Sequence, residues 1–228
     1  MCGRYSLTMA PEALRRLFDF DTTPNLQPRY NVAPTQSLPV LRTTGGGKGR
    51  ELAMLNWGFI PSWAKEASTG GKMINARSET VAEKPSFRDA FQHRRCLVPA
   101  DGFYEWRREG EVKQPFRIGM KGGKPFAFAG LWECWEGTGD ETAVETFTIL
   151  TTVANRKLRP IHHRMPAILA PESYGIWLDT RPDNTNRALS VLKPFSDEPM
   201  AFYRVSTRVN GPRNDDPDCV KPISPFAA

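Results

Sequence analysis

Long apolar runs are missing from this chain of 228 residues. No stretch approaches the about 18 consecutive apolar residues of a membrane-spanning helix. The N-terminus, Met-Cys-Gly-Arg-Tyr-Ser, is followed by no apolar signal segment. A cytoplasmic protein with no membrane partner is expected. Histidine is scarce: His93, His162 and His163 are the only three. The four cysteines, Cys2, Cys96, Cys134 and Cys219, never fall into Cys-x-x-Cys spacing. A zinc site is therefore not expected, and four thiols over this length are too sparse for a disulfide scaffold. Absent too are a Gly-x-Ser-x-Gly elbow, a phosphate-binding P-loop and a dinucleotide glycine fingerprint. The expectation is no metal and no cofactor.

What is present is a modest basic excess, Lys+Arg 31 against Asp+Glu 25, a formal net charge of +6. Such a balance suits an anionic partner without demanding one. Pro 20 and Gly 18 make about 17% of the chain against a background of roughly 12%, which excludes a helical bundle or coiled coil. A hydrophobic content of 39%, with thirteen Phe and six Trp, is ample for a core and excludes wholesale disorder. The length fits one large domain.

Periodicity predicts a helix over Pro11–Phe20, with its cap near Thr8 or Met9, then a turn-rich stretch from Thr22 to Pro39. Strands are predicted at Leu38–Arg42 and Glu51–Phe59, joined by a Gly45-Gly46-Gly47 loop. Ser62–Lys72 reads as a polar loop, and Ser86–Arg95 as a short helix with Asp89 completing a capping box on Ser86. From Cys96 the pattern is mostly β: Cys96–Trp106, Pro115–Met120, Pro125–Trp135 and Glu145–Val153, then Pro166–Leu169 and Ala201–Ser206. Pro171–Leu178 and Thr185–Leu192 look helical, and the tail after Asn210 is expected to fray or lie across the surface. The whole predicts one α+β domain, a curved antiparallel sheet or open barrel with peripheral helices.

Cys2 is the most informative residue. Removal of Met1 would leave an N-terminal cysteine, with an α-amine of pKa about 7.7–8.0 beside a thiol of about 8.5. The amine can form a Schiff base with an aldehyde, and the thiol can then close on the imine carbon to give a five-membered thiazolidine. A buried filler is the plainer alternative. Asn75 and Arg77, in Met73-Ile74-Asn75-Ala76-Arg77-Ser78-Glu79-Thr80, supply an amide and a guanidinium suited to a polar, phosphate-bearing ligand. Glu105, among Phe103, Tyr104 and Trp106, sits where desolvation favours a proton-transfer role, unless it merely pairs with Arg107 or Arg108. His162 and His163 lie between Pro160 and Pro166 in an extended segment, so only one can face a given site. Arg4, Arg29, Arg77 and Arg164 are candidate phosphate contacts. Trp63, at the start of a polar loop, is a better stacking candidate than Trp57 within a strand.

Taken together, Met1-Cys2-Gly3-Arg4, Arg29 to Thr35, Trp57 to Trp63, Met73 to Thr80, Pro99 to Trp106 and Ile161 to Pro166 occur in an order that resembles the SRAP family, the SOS response-associated peptidases or abasic-site processing proteins. The resemblance covers about residues 1–207 of a single domain spanning 1–228, with 208–228 as a C-terminal tail. It implies a mixed α/β domain, a monomer, that binds single-stranded DNA containing abasic sites. It also implies a covalent thiazolidine crosslink between the processed N-terminus and the ring-opened sugar aldehyde. By position, Cys2 would be the nucleophile, Asn75 would hold the cysteine and the sugar, Glu105 would transfer protons, and His162 would assist ring opening. Arg4 and Arg77 would hold phosphates flanking the lesion, with Trp63 and Pro34 near the strand and Arg164 as a further DNA contact. One position departs: the residue after the family histidine is often Asp and is His163 here. Association with the nucleoid and a lyase side activity belong to the same expectation. The alternatives are a cysteine-dependent peptidase or amidase built on Cys2, Glu105 and His162, and a non-catalytic reader of single-stranded or modified DNA.

Overall fold

Strands rich in β-branched and aromatic residues account for most of the regular secondary structure of the computed structural model, which describes residues 2–21, 25–44, 49–137 and 142–223. In chain order these are β1 (Tyr5–Leu7), helix α1 (Pro11–Phe18), β2 (Arg29–Val32), β3 (Ser37–Thr43), β4 (Arg50–Trp57) and β5 (Asn75–Arg77). There follow α2 (Arg88–His93), β6 (Arg95–Ala100), β7 (Gly102–Glu109), β8 (Val112–Met120), β9 (Phe126–Trp135) and β10 (Val144–Val153). The last are β11 (Arg164–Pro166), β12 (Ile168–Leu169), α3 (Tyr174–Leu178), α4 (Thr185–Ser190) and β13 (Met200–Arg204).

Strands β10, β4, β3, β6 and β9 pair in sequence, and β9 pairs again with β10, so this sheet closes on itself as a five-stranded barrel. Only β4 and β10 run parallel within the ring, Thr146 opposite Asn56; β5 extends β10, also parallel. The second sheet, in order β13-β8-β7-β1-β2, is antiparallel throughout. The fold is thus α+β with a barrel core and helices at the periphery, as the sequence led one to expect.

Strand β6 is buried at all six positions, because one side faces the barrel interior and α3 covers it from outside. The Trp177 indole donates to the Cys96 carbonyl at 2.8 Å, and the Arg95 guanidinium donates back to the Trp177 carbonyl at 2.6 Å. On the two faces of the barrel sheet, Trp57, Leu97, Val98, Phe128, Leu131, Phe147 and Ile149 have no exposed surface.

Several expectations need correction. The single strand Cys96–Trp106 is two strands in different sheets, broken at Asp101. That carboxylate is buried and accepts from Ser6 Oγ (2.6 Å), Thr8 Oγ1 (2.7 Å) and Arg117 Nη2 (2.8 Å). Turning the chain there fixes β1 to the sheet junction. Thr8 is thereby diverted from capping α1, whose N-cap residue is Ala10 with no side-chain cap. The capping box at Ser86 does not form: α2 begins at Arg88 after Phe87, and Asp89 pairs with Arg94 instead. The turn-rich stretch contains β2. The loop Gly45-Gly46-Gly47 lies outside the described residues, although Thr43 and Arg50 on either side are paired. Pro166 and Ile168 belong to separate strands, β11 on β10 and β12 on β9.

The tail is docked as far as Ile223 rather than frayed. Asp215 accepts the backbone N–H groups of Tyr30 (2.6 Å) and Asn31 (2.8 Å), and Cys219 is fully buried. Among the described residues, no helix is long and apolar enough to cross a membrane.

Candidate active site

The N-terminal residues enter the site as an extension of β1. The Tyr104 N–H donates to the Arg4 carbonyl at 3.0 Å, and Tyr5 lies opposite Phe103. Continuing that antiparallel register places Gly3 across from Glu105, so the carboxyl of β7 sits beside Cys2. Both are sealed from solvent, Cys2 at 0% and Glu105 at 4% exposure. Burial pushes the Cys2 thiol well above its ordinary pKa, and the negative charge of Glu105 adds to the effect. The thiol itself points at the Arg4 carbonyl oxygen, 3.9 Å away.

Tyr5 packs on this group, its ring 5.3 Å from that of Trp57, which in turn stacks on Phe147 at 6.2 Å. The Trp57 indole donates to the Ile74 carbonyl at 2.9 Å and so ties β4 to the residue before Asn75. Asn75, on β5, donates from Nδ2 to the same carbonyl (2.8 Å), leaving its Oδ1 buried without a hydrogen-bond partner. A carboxamide oxygen held in this way suits a donor such as an amine or a sugar hydroxyl.

His162 is half-buried, and its Nδ1 faces the backbone of Arg164, 3.0 Å from the N–H and 3.1 Å from the carbonyl oxygen. The ring of His163 stacks on it at 4.4 Å and 29°. His163 is solvent-exposed. Its pKa is lowered, first by His162 and also by the neighbouring positive charges, and Glu105 is near enough to offset this in part. The two imidazoles therefore stack on one side of the chain instead of pointing apart.

The basic residues divide into two kinds. Arg4 is occupied: its guanidinium donates to Asn31 Oδ1 (3.0 Å), Val209 O (2.7 Å) and Asn210 O (3.3 Å). Arg164 is occupied too, by a bidentate pair with Glu79 (2.6 and 2.9 Å) and by the Thr151 carbonyl at 2.6 Å. Arg77, by contrast, is exposed and makes no ion pair or side-chain hydrogen bond among the described residues. It opens onto a cleft of about 460 Å³ lined with Val153, Ala154, Arg159, His163 and Arg164. Trp63 stands 62% exposed on the turn after Pro61. Pro34 is half-exposed in the turn after β2, where the Thr35 N–H donates to the Trp57 carbonyl at 2.8 Å. Among the described residues no group of three or more His, Cys, Asp or Glu is placed to hold a metal.

A family model described as SOS response associated peptidase (SRAP) matches residues 1–212. The chain belongs to the SRAP family. It is 41% identical over 225 residues to the abasic site processing protein YoqW of Bacillus subtilis (strain 168), covering 97% of this chain and 99% of that one. To the abasic site processing protein HMCES of Xenopus tropicalis it is 33% identical over 265 residues, covering 98% of this chain and 78% of the relative. A crystal structure of a protein from Bacteroides thetaiotaomicron superposes with a TM-score of 0.86 at 30% identity, covering 98% of this chain and 100% of that one.

The structure adds to the site of this SRAP protein two residues that the sequence reading did not single out. Asn31 is fully buried, and its Nδ2 faces the carbonyls of Val209, Gly211 and Asn214 at 2.7–3.1 Å while its Oδ1 receives Arg4. It locks the N-terminal strand to the tail. Arg159 lines the same cleft as Arg77, His163 and Arg164. An asparagine in a four-residue strand and an arginine in a loop carry no spacing signal that could have marked either one.

Proposed function

We propose that this protein processes abasic sites in single-stranded DNA by forming a covalent thiazolidine at Cys2 once Met1 has been removed. The observation that carries the reading is the burial of Cys2 beside Glu105, whose charge reaches His163 on the cleft that Arg77 opens onto. The family relatives from B. subtilis and X. tropicalis are named for abasic-site processing, which supports the same conclusion.

The electrostatics favour an order of events. A negative Glu105 disfavours the Cys2 thiolate, so the thiol stays protonated and the α-amine makes the first bond. The amine attacks the aldehyde carbon of the ring-opened sugar, and loss of water gives an imine. The sulfur then bonds to the imine carbon while its proton passes to the nitrogen, closing the ring with all atoms accounted for. Glu105 is the base that takes a proton from the ammonium and returns one to the departing hydroxyl. The Asn75 Oδ1 accepts a hydrogen bond from the amine or the sugar, and His162, held by the backbone of Arg164, assists opening of the deoxyribose ring. Arg77 binds a phosphate. Arg4 and Arg164 hold the walls of the site through Asn31, the tail and Glu79, and Arg4, whose acceptors are neutral, keeps a charge that attracts the strand. Trp63 and Pro34 line its path.

A cysteine peptidase reading fits less well, because such enzymes lower the pKa of the thiol and here burial and Glu105 raise it. The test is incubation with an abasic oligonucleotide, read on a denaturing gel with the intact mass of the protein. Wild type should give a heat-stable adduct, and Cys2→Ala none, while retaining DNA affinity. An adduct that survives Cys2→Ala, or a mature protein that keeps Met1, would exclude the mechanism.

A further inference from the structure

The loop that carries Arg159 is braced on every side. Asn155 is buried; its Oδ1 accepts from Leu158 N–H at 3.0 Å and its Nδ2 donates to Phe195 O at 2.8 Å. The Ile161 and His162 amides both donate to Leu158 O (2.8 and 3.0 Å), and the Ala154 amide donates to His163 O at 3.0 Å. Arg159 and His163 are thus presented by a fixed backbone, both exposed on one cleft with Arg77.

The charge of this cleft is not cancelled from within. Glu79 pairs with Arg164, whereas neither Arg77 nor Arg159 forms an ion pair among the described residues. At about 460 Å³ it falls in the range of roughly 300–1,000 Å³ typical of small-ligand sites, too large for a lone phosphate. Its lining is not purely polar: Val153 is 52% exposed. One face of the His163 ring is covered by His162, and a neutral imidazole can stack with a nucleobase as other aromatic rings do. His162 lowers the pKa of His163 below its ordinary value, a shift toward the neutral ring that suits a position beside two guanidinium groups.

We propose that this cleft is a nucleotide subsite for the strand next to the lesion, in which the His163 ring stacks on a base while Arg159 and Arg77 hold the phosphates on its two sides. The proposal rests on the reading of the protein as a single-stranded DNA binder and adds two contact residues to it. It also gives a purpose to His163, at a position where the resemblance leads one to expect an acidic residue. An aspartate there would place a carboxylate in a phosphate-binding cleft; an imidazole supplies a ring.

The experiment uses the full chain and a single-stranded oligonucleotide with no abasic site, followed by fluorescence anisotropy across a salt series. His163→Ala should weaken binding about tenfold, the scale of one lost base–aromatic stack, and His163→Phe should restore it. Arg159→Ala should reduce the slope of log affinity against log salt by about 0.7, one phosphate contact on a single strand. Both side chains are exposed, so thermal midpoints should stay at the wild-type value. Wild-type affinity and slope in both alanine variants would overturn the subsite while leaving the DNA-binding reading intact. A wild-type protein that binds no single-stranded oligonucleotide would overturn both.

Discussion

At the scale of single residues, the pairing of Cys2 with Glu105 has consequences that run in opposite directions. Burial is the first cause of the raised Cys2 thiol pKa and the charge of Glu105 the second, so replacing Glu105 with neutral glutamine lowers that pKa in part and increases the thiolate fraction at a given pH. Glu105→Gln should therefore speed iodoacetamide labelling of Cys2 at pH 8, measured by peptide mass. The same change removes the proton carrier, and adduct formation with abasic DNA should slow by about 10²-fold. If labelling and crosslinking fall together, the carboxyl is only a packing element. Sequence chemistry marked both residues, one for its place at the N-terminus and one for its aromatic neighbours. It could not show that they meet, because that depends on the pairing of β1 with β7 across about a hundred residues.

Elements are joined by contacts that tolerate little change. Gly58 has φ +142°, and Gly58 and Gly70 approach so closely that a Cβ on Gly70 would lie 2.6 Å from the Gly58 carbonyl and 2.7 Å from Ile60. This contact seats the 3₁₀ turn Ala67–Lys72 against the end of β4. Gly70→Ala should cost about 1–3 kcal/mol, the usual penalty of overpacking, read as a lower urea midpoint with an unchanged slope. Gly71→Ala, which meets nothing within 4 Å, is the matched control. At the break between β6 and β7, Asp101 and Arg117 form a buried pair, their side chains 7% and 13% exposed. Asp101→Ala strands the guanidinium and should cost about 3–5 kcal/mol in the same assay. The strands of the barrel were largely legible because β3, β4, β9 and β10 are seven to ten residues long, enough to carry a local β pattern bounded by turn residues. Strands β1, β2 and β5 were not, since three or four residues carry too little periodicity and take their strand character from partners far along the chain.

Across the whole molecule, the tail is the piece that ties the second sheet to the N-terminus. Asp215 is ion-paired with Arg29 and accepts two backbone N–H groups of β2, and Arg4 reaches Val209 and Asn210. Asp215→Ala should destabilise by about 2 kcal/mol, the scale of hydrogen bonds to a charged group. Hydrogen exchange should quicken at the amides of Tyr30 and Asn31 while the barrel strands stay protected. Unchanged protection there would mean the tail contributes nothing to the sheet. The net charge of +6 gains its meaning at this scale as well, since neutral acceptors of Asn31 and the tail occupy Arg4, an ion pair with Glu79 occupies Arg164, and Arg77 and Arg159 are left facing solvent.

The sequence by itself determined the β-rich class, the basic balance and the aminothiol potential of Cys2, because composition, local periodicity and functional-group chemistry are properties of neighbouring residues. Only the tertiary structure decided that Cys2 is buried against Glu105, that Arg4 serves the tail, and that His163 shares a cleft with Arg77 and Arg159. Those facts follow from strand register and loop bracing between segments tens to hundreds of residues apart, where burial and charge pairing are set by what the fold brings into contact.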